Sequence, residues 1–209
     1  MKINDFLTRM WNDYSDLNPH INKVLDLIKE KESKTIINDH IALRTFNHKK
    51  INRHVLSSYF VKNGYKPIED LTFTEKKLKA TYYLHSDPTL PRIFISELLL
   101  ENFSEKLQKS INNKVDEIDV DSISNPEFLT SGIPWSPIDY KTYKEIQSES
   151  DYASWVLAMG YIANHFTVSV TDCSFFKNLT QLNTYLKENG FEPVLVKSVH
   201  ILFDAICHW

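Results

Sequence analysis

Two histidines, His40 and His165, each open a near-copy of the same unit. The first reads Asp39-His40-Ile41-Ala42-Leu43-Arg44 and, after an amphipathic stretch, Asn63-Gly64-Tyr65-Lys66-Pro67-Ile68. The second reads Asn164-His165-Phe166-Thr167-Val168-Ser169-Val170 and then Asn189-Gly190-Phe191-Glu192-Pro193-Val194. From histidine to glycine the separation is 24 residues in one copy (40 to 64) and 25 in the other (165 to 190). A neutral imidazole is a good ligand for a borderline divalent metal, so two at equivalent positions of a repeat suggest one shared site. The competing reading is that each is a structural residue at a strand start. On a strand, residues two apart share a face, which projects His40, Ala42 and Arg44 together. Arg44, two strand repeats along that face, has the planar fork that grips a carboxylate bidentately. Ala42 leaves room between them. In the second copy His165, Thr167 and Ser169 share a face, and the two hydroxyls are candidate hydrogen-bonding partners for an oxygen-rich substrate.

The elements that must position these residues follow from periodicity. Residues 40–46 alternate like a half-buried strand, and 51–62 carry Ile51, Val55, Leu56, Tyr59 and Phe60 at helical spacing. Asn63-Gly64 ends that helix, because glycine accepts the left-handed conformation of a C-terminal cap. Three strand-like runs follow, at 66–73, 79–85 and 92–100, so the order is strand, helix, strand, strand, strand. The second unit repeats the beginning: a strand at 164–170, a helix at 174–188 and a third segment from Phe191. Helices are expected at 4–14 and 22–31, at 104–112, and through 139–159, with an acidic, turn-rich connection over 115–137. The expected organisation is one domain: N-terminal helices at 1–34, a first module at 35–103, a helical insertion at 104–163 and a partial second module at 164–209.

Composition narrows the function classes. The chain has 209 residues, 42% hydrophobic, with 24 basic against 27 acidic residues and a net charge of -3. That length and apolar content support a real core. The charge balance gives no reason to expect nucleic acid or an anionic membrane as partner. No 18-residue apolar run and no secretory pattern at Met1-Lys2-Ile3-Asn4-Asp5 are found, so a cytoplasmic location is expected. Cys173 and Cys207 are too few and too far apart for a zinc knuckle or a disulfide framework, and Cys173 reads as a packing residue. His20, His48, His54 and His85 read as solvated or local caps. In the tail, His200, Cys207 and His208 offer ligand types without a supporting spacing. Glu97 lies in the otherwise apolar Arg92-Ile93-Phe94-Ile95-Ser96-Glu97-Leu98, where a carboxylate is costly unless paired or metal-bound. It is expected either to join an arginine or to serve as a ligand.

Three stretches carry a resemblance to a known family: residues 39–46, residues 91–98, and Tyr152-Ala153-Ser154-Trp155-Val156 through Gly160-Tyr161-Ile162-Ala163-Asn164-His165-Phe166-Thr167-Val168. They resemble the 2-oxoadipate dioxygenase/decarboxylase family. The resemblance implies an α+β fold of duplicated strand-helix-three-strand modules, similar to the vicinal oxygen chelate superfamily, forming a curved mixed sheet around a metal cavity. It also implies an iron(II) site of two histidines and one glutamate, in which His40 and His165 match the histidines and Arg44 matches the arginine that binds the substrate carboxylate. The implied partners are a small 2-oxo dicarboxylic acid and dioxygen. The implied reaction takes 2-oxoadipate to 2-hydroxyglutarate and carbon dioxide, in lysine breakdown.

The family's third ligand belongs to the last strand of the second module. By the first copy's spacing it is expected 57 residues after His165 (as 40 to 97), whereas 44 residues follow (165 to 209). The second module is therefore expected to lack its last two strands, with Glu97 the substitute candidate for the missing glutamate. A non-catalytic remnant that keeps the fold stands as the alternative, and another chemistry on the same scaffold, such as glyoxalase-like isomerisation or ring cleavage, as a third. The oligomeric state is not legible.

Overall fold

The computed structural model describes residues 1–191 and the backbone of 200–202. Its spine is a six-stranded mixed sheet in the order β2-β3-β4-β1-β5-β6. The first module is β1 (Asn38–Phe46), α3 (Arg53–Lys62), β2 (Lys66–Phe73), β3 (Leu78–Leu84) and β4 (Arg92–Leu98). β4 returns parallel to β1 with His40 opposite Arg92, and β2, β3 and β4 pair antiparallel. That is the strand-helix-three-strand order expected from the sequence. Asn52 starts α3 by accepting the amides of His54 and Val55. Gly64 ends it at φ +97°, with the His85 ring so near that a Cβ there would lie 2.6 Å from its Nε2.

The second histidine unit supplies β5 (His165–Ser169) and α8 (Leu179–Glu188). β5 lies antiparallel beside β1, with Ala42 opposite His165, so the two copies meet strand to strand. β6 (His200–Leu202) pairs antiparallel with β5. Orientation separates it from β4, whose pairing with β1 is parallel. The expected third segment from Phe191 lies outside the described residues, as do the side chains of His200, Cys207 and His208.

Several boundaries differ from the sequence expectations. Helix 139–159 is two helices, α6 (Tyr140–Gln147) and α7 (Asp151–Met159), because the Ser150 side chain accepts the Ala153 amide and starts a new helix. α8 begins five residues late, since Asn178 caps it on Gln181. The stretch 115–137 contains the end of α4 (Glu105–Asp116), the short α5 (Val120–Ile123) and a 3-10 turn, Pro126–Thr130. α2 (His20–Lys31) begins two residues before the expected start at residue 22 and so takes in His20. Gly160 is required: its φ is +70° and a Cβ would fall 1.9 Å from the Gly132 carbonyl oxygen. Among the described residues no helix is long and apolar enough to cross a membrane.

Two packing clusters hold the sheet. The larger gathers Phe6, Met10 and Tyr14 of α1 (Ile3–Leu17) with Ile41, Leu43, Ile93, Ile95, Val156 and Phe166. The smaller joins Val24 and Ile28 of α2 to Val168, Val170, Phe176, Leu182 and Leu186. A clamp reinforces the second cluster. Burial disfavours the Glu32 carboxylate's charge, but the Ser174 hydroxyl and the amides of Phe176, Ser174 and Phe175 outweigh it and hold its pKa at about 2. Cys173 packs beside this cluster, its thiol pushed up to about 11 by burial and by Glu32, as befits an inert packing residue.

Candidate metal and substrate site

His40 on β1 and His165 at the start of β5 face each other across the seam between the two copies, with ring centroids 5.5 Å apart and planes at 78°. The residue before each histidine holds its ring. Asp39 Oδ2 lies 2.8 Å from His40 Nδ1, and Asn164 Oδ1 lies 2.8 Å from His165 Nδ1. Neighbours on a strand normally point to opposite faces, and β1 escapes this rule through a register shift against β5 between Asn38 and Ile41. In the second copy Asn164 precedes the strand, its amide bonded to the Ala42 carbonyl at 2.8 Å. With an acceptor facing it, Nδ1 keeps its proton and donates, so in the neutral ring the metal-binding lone pair sits on Nε2. Burial first, then the nearby His40 and Arg44, hold the His165 pKa well below the ordinary histidine value. His165 is therefore neutral at pH 7, as ligation requires.

Arg44 lies on the same face, one strand repeat beyond Ala42. Its guanidinium stacks against two rings of α7, 5.1 Å from the Tyr152 centroid and 5.0 Å from that of Trp155. Tyr152 is itself fixed: its hydroxyl accepts the Thr45 amide at 3.1 Å and donates to the Ser96 carbonyl at 2.8 Å. Burial pushes this phenol up to about 12, so it stays protonated. Ala42, Arg44, Phe94, Tyr152 and His165 line a cavity of about 680 Å³. Its far rim carries Lys76 and Lys77 of the β2–β3 turn.

One expectation needs correction and another is resolved. Thr167 and Ser169 do not present hydroxyls to a ligand. Thr167 is buried, its hydroxyl accepting the His40 amide at 3.0 Å and bonding the His40 carbonyl at 3.1 Å, while Ser169 donates to Asp172 at 2.6 Å. Glu97 takes the first of its two expected roles, joining an arginine, and not that of a substitute ligand. In the parallel register it pairs with Thr45, whereas the cavity face pairs Ala42 with Phe94 and Arg44 with Ser96. Glu97 thus projects to the opposite face, where it accepts the Arg53 side chain and, at 3.0 Å, the Arg53 amide. Arg53 also donates to Thr81 at 2.9 Å. His48 and His85 accept local amides at 3.1 and 2.9 Å, from Lys50 and Asp87, as expected of caps.

The donor set fits part of a divalent metal site. An imidazole bound at about 2.1 Å puts its centroid about 3.2 Å from the ion, so two rings sharing one ion lie within about 6.5 Å. The observed 5.5 Å satisfies that limit. Among the described residues no group of three or more His, Cys, Asp or Glu is placed to hold a metal. The pair therefore supplies two donors.

The orienting roles of Asp39 and Asn164, and the Tyr152–Trp155 bed beneath Arg44, were not assigned from the sequence. The signal for the first was present, as an Asx residue before the histidine in both copies.

Residues 6–199 match the family model described as 2-oxoadipate dioxygenase/decarboxylase. A relative from Oryza sativa subsp. japonica named 2-oxoadipate dioxygenase/decarboxylase, chloroplastic/amyloplastic, is 32% identical over 200 residues, covering 89% of this chain and 54% of the relative. The chain thus spans about half the length of the curated relatives it matches. A crystal structure from Shewanella frigidimarina NCIMB 400 superimposes with a TM-score of 0.85 at 43% identity, covering 91% of this chain and 74% of that one. The hydroxyglutarate synthase of Oryza sativa in complex with 2-oxoadipate gives 0.81 at 30% identity, covering 90% and 64%. At the level of fold alone, a glyoxalase-superfamily structure from Ralstonia eutropha JMP134 gives 0.60 at 17% identity, covering 78% and 58%. By the extent of these matches, the chain belongs to the 2-oxoadipate dioxygenase/decarboxylase family.

Proposed function

We propose that this chain binds iron(II) through His40 and His165 and a 2-oxo dicarboxylate through Arg44, in the conversion of 2-oxoadipate and dioxygen to 2-hydroxyglutarate and carbon dioxide. The observation that carries this reading is the facing histidine pair, each ring held at Nδ1, beside an arginine stacked on two aromatic rings. The reaction balances: the carboxylate bonded to the oxo carbon leaves as carbon dioxide, one atom of dioxygen completes a new carboxylate at the former oxo carbon, and the other enters a C–H bond of the adjacent carbon as the hydroxyl. Bound iron(II) would supply the Lewis acid for the 2-oxo acid and the electrons for dioxygen.

The remaining work belongs to the protein. Arg44, with its plane set by Tyr152 and Trp155, binds a carboxylate in one register and so fixes which end of the dicarboxylate reaches the histidines. His165 offers a neutral ring without a proton to expel, and Ala42 keeps the space between guanidinium and imidazole clear. The bound 2-oxoadipate of the Oryza sativa relative supports this substrate class.

A second reading is metal binding without turnover, favoured by the absence of a third ligand beside the pair among the described residues and by the commitment of Glu97 to Arg53. One experiment separates the two. The chain is loaded anaerobically with iron(II), given 2-oxoadipate and dioxygen, and followed for oxygen uptake and carbon dioxide release. Equimolar uptake and release establishes the first reading. Stoichiometric iron without turnover establishes the second, and failure to hold iron removes both.

A further inference from the structure

The two histidines are supported in the same place by different chemistry. Asp39 offers His40 a carboxylate, while Asn164 offers His165 a neutral amide, at the same 2.8 Å. The Asp39 side chain is 8% exposed, and Arg92 of β4 reaches both of its oxygens, Oδ1 at 3.1 Å and the Oδ2 that faces His40 at 3.4 Å. Arg92 is the register partner of His40, so the sheet itself brings this cation to the carboxylate. The Thr167 hydroxyl, bonded to both main-chain groups of His40, lies 3.0 Å from the same Nδ1 that Asp39 holds.

We propose that Asp39 is a positioning residue that makes the two histidines unequal ligands, with His40 the stronger donor. The inference rests on the proposed metal site but goes beyond it. An anionic acceptor at Nδ1 polarises the N–H bond and raises electron density at Nε2, and such supports typically change metal affinity by about 10–100-fold. A neutral amide orients the ring as well but donates little. The ion pair with Arg92 is made more closely through Oδ1, at 3.1 Å against 3.4 Å to Oδ2, while Oδ2 lies 2.8 Å from His40 Nδ1. Asn164 is thus an internal control for Asp39: same place, same distance, no charge.

The probe is cobalt(II), titrated into the full chain and followed by its visible absorption. Asp39→Asn keeps an oxygen acceptor and removes the charge. It is expected to weaken cobalt binding by about 10-fold or more, with the metal-free melting curve and circular dichroism unchanged. Asn164→Asp is expected to tighten binding, and the exchange of both residues to recover affinity to within about 3-fold of the parent, an order-of-magnitude expectation for a transferred support. Nitrogen NMR of the metal-free chain gives an independent readout, with His40 and His165 both expected as the Nδ1-protonated tautomer. Unchanged affinity in Asp39→Asn, or a deprotonated Nδ1 in His40, would overturn the role of Asp39 while leaving the metal site standing. Cobalt failing to bind the parent chain would instead withdraw the site and this inference together.

Discussion

The half of the molecule around β1 builds its own support. It has the parallel neighbour β4, the helix α3 and a buried Arg53–Glu97 pair that ties the two together. The half around β5 borrows its support. α8 and β5 close their cluster on Val24 and Ile28 of α2, and Glu32 takes the amides at 174–176. Both halves nonetheless present a histidine with an Asx oxygen on Nδ1. A held imidazole needs only a strand start and one acceptor, so it is compatible with the different surroundings of the two halves. The carboxylate buried by the first half became structural because it fell on the helix face of β4.

This contrast is open to attack from the first half. Arg53→Met leaves Glu97, 4% exposed, with its charge unmatched, and is expected to cost about 3–5 kcal/mol in urea unfolding. A loss below about 1 kcal/mol would be that of a solvated surface pair and would erase the distinction between the halves. Glu97→Gln is expected to keep full metal loading, and reduced loading would return Glu97 to the site.

In the second half, Leu182 is fully buried in the smaller cluster, and Leu182→Ala is expected to cost about 2–4 kcal/mol. Hydrogen exchange sharpens this: protection is expected to fall in β5 and α8 while β3 and β4 keep theirs. Uniform loss would mean that the halves unfold as one cooperative unit.

Arg44→Met removes the carboxylate fork and is expected to raise KM for 2-oxoadipate by at least about 10-fold, the loss of one charged hydrogen-bonded contact, with iron loading intact. Loss of iron would instead make Arg44 a structural support.

The smallest effect belongs to Glu32. Its folded pKa of about 2 lies below the ordinary 4.5, so its stabilisation is present above pH 4.5 and is lost as pH falls toward 2. Glu32→Gln is expected to melt a few degrees below the parent at pH 7, with the gap closing across that acid window. A gap that persists at pH 2 would show that the carboxylate's charge is not what stabilises the loop.

The repeat was legible because spacing and turn chemistry are local. Gly64 and Gly190 both take positive φ, at 97° and 85°, where the sequence placed the helix ends. His40, Ala42 and Arg44 shared a face as alternation required. The arginine pairing expected of Glu97 also had a local signal, since Glu97 shares its strand face with Ile93 and Ile95, which are fully buried, and not with Phe94 and Ser96 of the cavity wall. The Glu32 clamp was beyond reach. Its partners lie more than 140 residues away, and nothing local marks a glutamate at a helix end as the acceptor of distant amides. Thr167 and Ser169 misled because a hydroxyl on the cavity face reads alike whether it meets a ligand or its own backbone.

The central claim is that His40 and His165 hold one metal together. Equilibrium dialysis against iron(II) under anaerobic conditions tests it most directly, on the parent chain beside His40→Ala and His165→Ala. One ion per parent chain and no retained iron in either variant is the expected result. Stoichiometric iron in either variant would contradict it.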